Sequence, residues 1–294
     1  MGMSETQPIG REDRSASAAP GPESRKRVLV TIPVHNEVGR LSGTLEALDR
    51  AFRPTGWDYR LSIAEDGSTD GTKALLRHLP DRWPGILIQE EAEALGRGRA
   101  LRQLWSKTPA DVYCFTDADL AVGPDLLVAT VQGVVNGAPI VIGSRYAPGA
   151  VTTRPPVRSI VSRGYNMLLR FSFGENIRDH QCGLKSFSAE AIQQLLPRTE
   201  EDSWFWDTEI VILAVKAGVP VVELPVEWVE HKHSRTHVRR LLSDLWIHGI
   251  GILHLKSRAL NGQLGDLAGH SASCVTASAG ARVASAPSPG PARR

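Results

Sequence analysis

Short apolar runs alternate with helix-length amphipathic stretches through the first half of the chain, and this alternation constrains the fold more than any other feature. "RVLVTIP" (Arg27 to Pro33), "YRLSIAE" (Tyr59 to Glu65), "GILIQE" (Gly85 to Glu90), "DVYCFTD" (Asp111 to Asp117) and "PIVIGS" (Pro139 to Ser144) read as buried strands. Helices are expected from about Glu37 to Phe52, with Leu41, Leu45 and Leu48 on one face, and near Leu95 to Trp105 and Asp125 to Val135. "STDGTKALLRHL" opens another, with Ser and Thr as caps. The rhythm predicts an α/β fold with a mostly parallel sheet and helices on both faces, where ligands gather beyond the carboxyl ends of the strands.

After Ser144 the rhythm changes. A Pro-rich loop, "RYAPGAVTTRPPVR", leads to a helix near Ser159 to Phe173, then "DHQCGLKSF", two helices, a strand "VPVVELPVEW" and a long amphipathic helix from about Val238. Residues 1–25 and 259–294 are rich in Ser, Pro, Gly and Ala and are expected to be disordered tails. A chain of 294 residues, 41% hydrophobic, suits one or two domains, and a formal charge of +2 excludes bulk nucleic-acid binding. Cys114, Cys182 and Cys274 form neither a disulfide framework nor a zinc spacing, which suits free thiols in a reducing compartment. No apolar stretch reaches the ~18 residues of a membrane span, and the N-terminal residues lack the apolar core of a secretory signal.

The strand ends carry the candidate chemistry. Asp117 and Asp119 are two apart, so in extended backbone they point to one side and can converge on a hard cation. The other reading makes Asp119 a turn cap and Asp117 a solvated strand end. "IPVHNE" closes the first strand without the Gly-rich turn of a dinucleotide or P-loop site, and Asn36 there suits a helix cap. "EDGSTDGT" closes the second; Asp66 can accept from a base N–H, or the stretch is an Asp-Gly turn whose carboxylates favour a helix start. Arg145, Arg154, Arg158 and Arg163 cluster within one loop and the next helix, and Arg158 and Ser162 share a helix face; guanidinium forks suit phosphate, although a solvated basic face has the same pattern. Asp207 and Glu209 read as caps, Asp179 as a contact to sugar hydroxyls or a support for an arginine, and His231, His233 and His237 as solvated side chains.

Taken in order, these stretches resemble the nucleotide-binding half of family 2 glycosyltransferases of the GT-A fold. Pro33, His35, Asn36 and Glu37 stand where that family has Pro-aromatic-Asn-Glu, Glu65 to Thr72 where it has Asp-Asp-Gly-Ser-x-Asp-Gly-Thr, Gly96-Arg97-Gly98 where it has Gly-Lys-Gly, and Asp117 and Asp119 at its Asp-x-Asp. "IGSRY", "RSIVSR", "DHQCGLKSF", "FWDTEI", "PVEW" and "HSR" follow in the order of the polyprenyl-phosphate glycosyltransferases, with "DHQCGLK" closer to the glucosyl type. The resemblance implies one GT-A domain over 26–258, with a nucleotide-binding half (26–144) and an acceptor half (145–258). It implies that Asp66, Pro33, His35, Glu37 and Arg97 bind a UDP- or GDP-linked sugar. Asp117 and Asp119 would hold Mg²⁺ or Mn²⁺, Arg145, Arg158 and Ser162 the phosphate of a polyprenyl phosphate, and Arg235 the donor phosphates. Asp119, Arg145, Arg158 and Arg235 are then the expected catalytic set. Ala121 replaces a polar residue near the metal, which puts a third protein ligand in doubt.

The implied reaction is inverting transfer of the sugar to the lipid phosphate, which needs no general base because a phosphate monoester is largely ionised above a second pKa of about 6. A related enzyme with a soluble acceptor is the alternative, with Asp179 or Asp207 as its base. The last helix, with Trp246 and Ile250 flanked by Arg239, Arg240, Lys256 and Arg258, suits either a membrane surface or a core packing role. The expected location is cytoplasmic, peripheral on the inner face of the membrane.

Overall fold

The computed structural model describes residues 25–229 and 238–262, with the side chains of 238–247 excepted. The expected tails at 1–24 and 263–294, together with Arg235, His231, His233, His237 and Cys274, lie outside the described residues.

Strands β1 (Arg27–Val34), β2 (Asp58–Glu65), β3 (Leu87–Glu90), β4 (Val112–Thr116) and β5 (Ile140–Ser144) match the apolar runs. Helices α1 (Leu41–Phe52), α4 (Arg97–Lys107) and α5 (Pro124–Val135) connect them, with α2 (Thr72–Leu76) and α3 (Leu79–Arg82) splitting the one helix expected after β2. The second half adds β6 (Val151–Thr153), α6 (Pro156–Phe173), β7 (Leu184–Ser188), α7 (Ala189–Leu195), α8 (Trp206–Lys216), β8 (Val221–Pro225), β9 (Glu227–Val229) and α9 (Val238–Leu260). The last helix therefore runs past the tail boundary expected at 258.

The main sheet has the order β3-β2-β1-β4-β7-β5-β8, and β6 pairs with β9 in a small second sheet. All neighbours in the main sheet are parallel except β7, which runs antiparallel to both β4 and β5. Alternation along β1 sets the two faces. Val28, Val30 and Ile32 join α1 and α5 in one core layer, while Leu29 faces the layer containing Trp105, Phe115, Phe187 and Trp206. Leu41, Leu45, Leu48 and Phe52 of α1 are fully buried, each worth roughly 1.5–3 kcal/mol of transfer from water. The buried indole N–H of Trp105 is satisfied by Thr31 Oγ1 at 2.9 Å, so α4 is pinned to β1 by a polar contact as well as by packing.

Candidate active site

The parallel register sets Val34 opposite Glu65, which brings the turns after β1 and β2 side by side at one sheet edge. They are stitched together. Asn36 takes a left-handed backbone (φ 59°), its N–H donates to Ser68 Oγ at 2.9 Å, and its Oδ1 accepts from Thr69 N–H at 2.7 Å. Asn36 thus ties two loops rather than capping α1. His35 Nδ1 donates to the Asp66 carbonyl at 2.6 Å and Nε2 accepts from Asn36 at 3.0 Å, which fixes the ring's tautomer. Thr72 Oγ1 accepts from Glu37 N–H at 3.0 Å. The expected Ser and Thr caps of α2 are absent; Asp70 Oδ1 takes the Thr72 N–H at 3.0 Å instead. Both hydroxyls serve the neighbouring loop.

Asp66 is buried, and its Oδ1 accepts from the N–H groups of Leu95 and Gly96 at 2.7 and 2.9 Å. That pair of bonds holds the loop entering α4. Gly67 permits the close approach: a Cβ there would lie 2.1 Å from Ala94 N, and its φ is +62°. Pro33 lies in register with Ala64 and is partly exposed at the same edge.

β4 ends at Thr116, one residue before the acidic pair, so the pair sits in a turn rather than on extended strand. Leu120 is left-handed there (φ 46°), and Asp119 Oδ1 accepts from Ala121 N–H at 3.1 Å. The turn-cap reading of Asp119 is therefore met for one oxygen. Asp117 Oδ1 accepts from Arg97 Nη1 at 2.8 Å. Burial pushes the Asp117 carboxyl up, with Asp207 and Asp119 adding to this and Arg97 opposing it. Burial also raises Glu37, to which Asp119, Asp70 and Asp117 add their charge against the Arg40 guanidinium. Glu37, Asp117 and Asp119 thus share one negative field. Among the described residues no three His, Cys, Asp or Glu side chains form a metal-binding group. Two carboxylates, with the rest of the shell supplied by phosphate oxygens and water, still suit a Mg²⁺-like ion.

Arg97 is the centre of a buried charge network that the sequence did not reveal. Its Nη2 donates to Asp207 Oδ2 at 2.5 Å, and its guanidinium lies 5.1 Å from the Phe115 ring centre and 4.4 Å from that of Trp204. Lys185 of β7 is fully buried, 3.9 Å from Asp207, and donates to the Cys182 carbonyl at 2.7 Å. Burial pulls its ammonium down. Asp207 and Glu209, read as caps, are buried ion-pair partners instead: Glu209 accepts from Arg258 Nη1 at 2.6 Å and from Glu200 N–H at 3.0 Å. The helix start supplies their position, and distant cations supply their role. Asp207 is identified by Arg97, 110 residues away, and by Lys185 of β7, so local spacing held no signal for it.

Asp179 takes the supporting role that was one of its two readings. Its Oδ2 accepts from Arg145 N–H and Nε at 2.9 and 2.7 Å, and its Oδ1 from Arg145 Nη2 at 2.8 Å. Burial alone would raise Asp179, but the Arg145 fork holds it below the usual carboxylate range. Arg145 also stacks 4.9 Å from the Trp228 ring centre. Arg154 donates to Ser162 Oγ at 3.4 Å, and burial together with the charges of Arg145 and Arg158 lowers its pKa. The expected cluster meets at Tyr146: Arg145 and Arg163 lie 5.7 and 5.5 Å from its ring centre, and Arg154 donates to its hydroxyl at 3.5 Å.

One segment touches both groups. Asp179 grips Arg145, and four residues on Gly183 lies so close to the acidic pair that a Cβ there would be 1.9 Å from Asp117 Oδ2. Between them Cys182 is pushed up to about 12 by burial, and it feels the charges of Asp179, Arg145, Lys185 and Asp117. Cys114 and Cys182 are both buried free thiols.

The fold sets these loops together at the carboxyl ends of the parallel strands, and comparisons with known proteins place the chain in a family. Residues 29–196 match the family described as Glycosyl transferase family 2, and the chain belongs to that family. It is 36% identical over 226 residues to glycosyltransferase AglD of Haloferax volcanii, covering 75% of this chain but only 35% of that protein, so it spans about a third of that relative's length. It is 29% identical to the dolichyl-phosphate beta-glucosyltransferase of Saccharomyces cerevisiae, over 70% of this chain and 68% of the other. Polyprenol monophosphomannose synthase of Mycolicibacterium smegmatis is 28% identical, with 76% and 88% covered. The fold matches glucosyl-3-phosphoglycerate synthase from Mycobacterium tuberculosis in complex with Mn²⁺, UDP and glucosyl-3-phosphoglycerate, with a TM-score of 0.59, 18% identity, and 79% and 80% of the two chains covered. The GT-A fold implied by the resemblance is thus the fold observed.

Proposed function

We propose that this chain transfers a hexose from a nucleoside-diphosphate donor to a polyprenyl monophosphate, with inversion at the anomeric carbon. The observation that carries the proposal is the 179–185 segment, which borders the acidic pair at Gly183 and the arginine group at Asp179. Two anionic substrates must meet there, one on each side. Relatives named as dolichyl-phosphate beta-glucosyltransferases and a polyprenol monophosphomannose synthase support the acceptor class. A fold neighbour with UDP and Mn²⁺ supports a nucleotide-sugar donor and a divalent ion, and makes a UDP-linked hexose the first donor to test.

In this reading Pro33, His35, Glu37 and Asp66 line the nucleoside pocket, with Asp66 also bracing the loop that carries Arg97. Asp117 and Asp119 would hold Mg²⁺ or Mn²⁺, whose charge would offset that on the departing diphosphate. Arg97 keeps the Asp117 carboxylate oriented from one side through Oδ1. Arg145, fixed by Asp179, together with Arg158 and Ser162, binds the acceptor phosphate; the donor-phosphate role of Arg235, outside the described residues, rests on the resemblance alone. The acceptor is already anionic at neutral pH, so Asp179 and Asp207 need not act as bases, and both are committed to arginines. Positioning two charged substrates by fixed guanidinium groups then carries much of the rate.

The test is incubation of the pure chain with radiolabelled UDP- and GDP-sugars and short polyprenyl phosphates. Label entering the organic phase as a phosphate-linked β-sugar is expected. Label appearing only on a soluble acceptor would favour the alternative, a family 2 transferase that does not act on lipid.

A further inference from the structure

Trp204 is the outward member of an aromatic run. Phe205 and Trp206 beside it are fully buried, whereas Trp204 is 58% exposed. A lone exposed apolar residue needs no account by itself. This one differs in where it stands. Its ring centre is 4.4 Å from the guanidinium of Arg97, which is buried and donates to Asp117 Oδ1 at 2.8 Å. Asp117 is partly exposed, so an open indole and an open carboxylate flank one buried cation. The loop that carries the ring is tied down. The Asp202 carbonyl accepts from Gly98 N–H at 2.8 Å, the Glu201 carbonyl from Arg102 Nη1 at 3.1 Å, and Ser203 Oγ from Phe205 N–H at 3.2 Å. A Cβ at Gly96 would lie 2.2 Å from the Asp202 carbonyl oxygen, so this loop rests directly on the turn that enters α4. The indole is thus presented on a fixed support, which lowers the ordering cost of binding against it.

Chemistry and placement narrow what the ring meets. An indole face carries negative π charge and offers apolar area, so it disfavours a diphosphate and suits an uncharged ring that presents C–H groups. The sheet runs β2-β1-β4-β7, with Asp66 just after β2, His35 just after β1, the acidic pair after β4 and Gly183 just before β7. A sugar nucleotide with its base at Asp66 and its diphosphate at the acidic pair extends its hexose toward β7. Trp204 stands at that end. Three residues on, Asp207 lies in the first turn of α8, 3.9 Å from Lys185 of β7. At the base end the ring beside Asp66 is that of His35, bonded to the Asp66 carbonyl at 2.6 Å.

We infer that Trp204 is the platform for the hexose of the donor, its exposed face stacking on the C–H face of the pyranose and so setting which sugar the site accepts. This rests on the proposed sugar-nucleotide donor but not on the lipid acceptor. The test is calorimetric binding of UDP-glucose and GDP-mannose, each beside its bare nucleotide, to the full chain with Mn²⁺ and without any acceptor. Trp204→Leu keeps an apolar cover over Arg97 but removes the ring. It is expected to weaken the sugar nucleotide that binds the parent by roughly tenfold and the bare nucleotide by less than about twofold. Trp204→Phe, which retains a ring, should recover most of the loss. Seven tryptophans share the emission, so quenching by the sugar nucleotide that is present in the parent and absent in Trp204→Phe would locate the contact. Equal binding of the sugar nucleotide by parent and Trp204→Leu would overturn the inference alone. So would an equal loss for the bare nucleotide, since the ring would then serve the nucleoside or merely shield Arg97. Binding of neither sugar nucleotide to the parent would overturn the donor reading and this inference with it.

Discussion

Arg97 Nη1 lies 2.8 Å from Asp117 Oδ1, so the first carboxylate of the acidic pair is held by a buried guanidinium from α4. The same arginine spans to Asp207 on α8, and one side chain thereby joins three elements at the candidate site. Each of its partners is partly or wholly removed from water, which makes the network sensitive to loss of any member.

Replacing Arg97 with Met strips Asp117 of its ion-pair partner and leaves Asp207 only the more distant Lys185, 3.9 Å away. We expect a loss of about 3 kcal/mol in unfolding free energy by urea titration, because breaking one side of a buried pair strands the other. Arg97→Lys should recover only part of it, since an ammonium cannot fork between two carboxylates. An unchanged denaturation midpoint for Arg97→Met would refute the network's role.

Gly183→Ala should fold but misplace Asp117. A Cβ at 183 would sit 1.9 Å from Asp117 Oδ2, and the short carboxylate can yield only by leaving its position. A displacement of that kind is expected to cut kcat on the order of 10²-fold and to lower the melting temperature as the Arg97–Asp117 contact loosens. Metal titration followed by activity would show a weaker apparent affinity in the variant.

The Arg145–Asp179 pair predicts a pH signature. Asp179 is held below its ordinary value, so it adds stability above the unfolded carboxyl pKa of about 3.9, and that contribution is lost as pH falls through the lower folded value. Asp179→Asn should therefore be less stable than the parent by about 3 kcal/mol at pH 7, with the gap narrowing below about pH 4. Denaturant midpoints at pH 7 and pH 3 measure it; a constant gap would contradict the assignment.

Much of the parallel sheet could be read from the apolar runs because β1, β2, β4 and β5 are short, continuous and separated by helical periods. β7 could not. Its residues Leu184–Ser188 include Lys185, whose charge argues against a central strand until Asp207 and the Cys182 carbonyl are seen to satisfy it. That strand then enters antiparallel between β4 and β5, a placement no local pattern encodes. The site shows the same division. Asp117, Asp119, Asp66 and the arginine group follow from motif spacing, whereas Asp207 and Gly183 depend on contacts made across the sheet. On α9 Ile252 packs inward and Leu253 outward, because adjacent residues lie about 100° apart on a helix.

The most direct measurement is transfer of labelled hexose from a sugar nucleotide to a short polyprenyl phosphate in the presence of EDTA, followed by readdition of Mg²⁺ or Mn²⁺, with Asp119→Ala alongside. Turnover should vanish in chelator, return with either ion, and stay at least roughly 10²-fold reduced in the variant at every metal concentration. Undiminished transfer in chelator, or full activity of Asp119→Ala, would contradict the account.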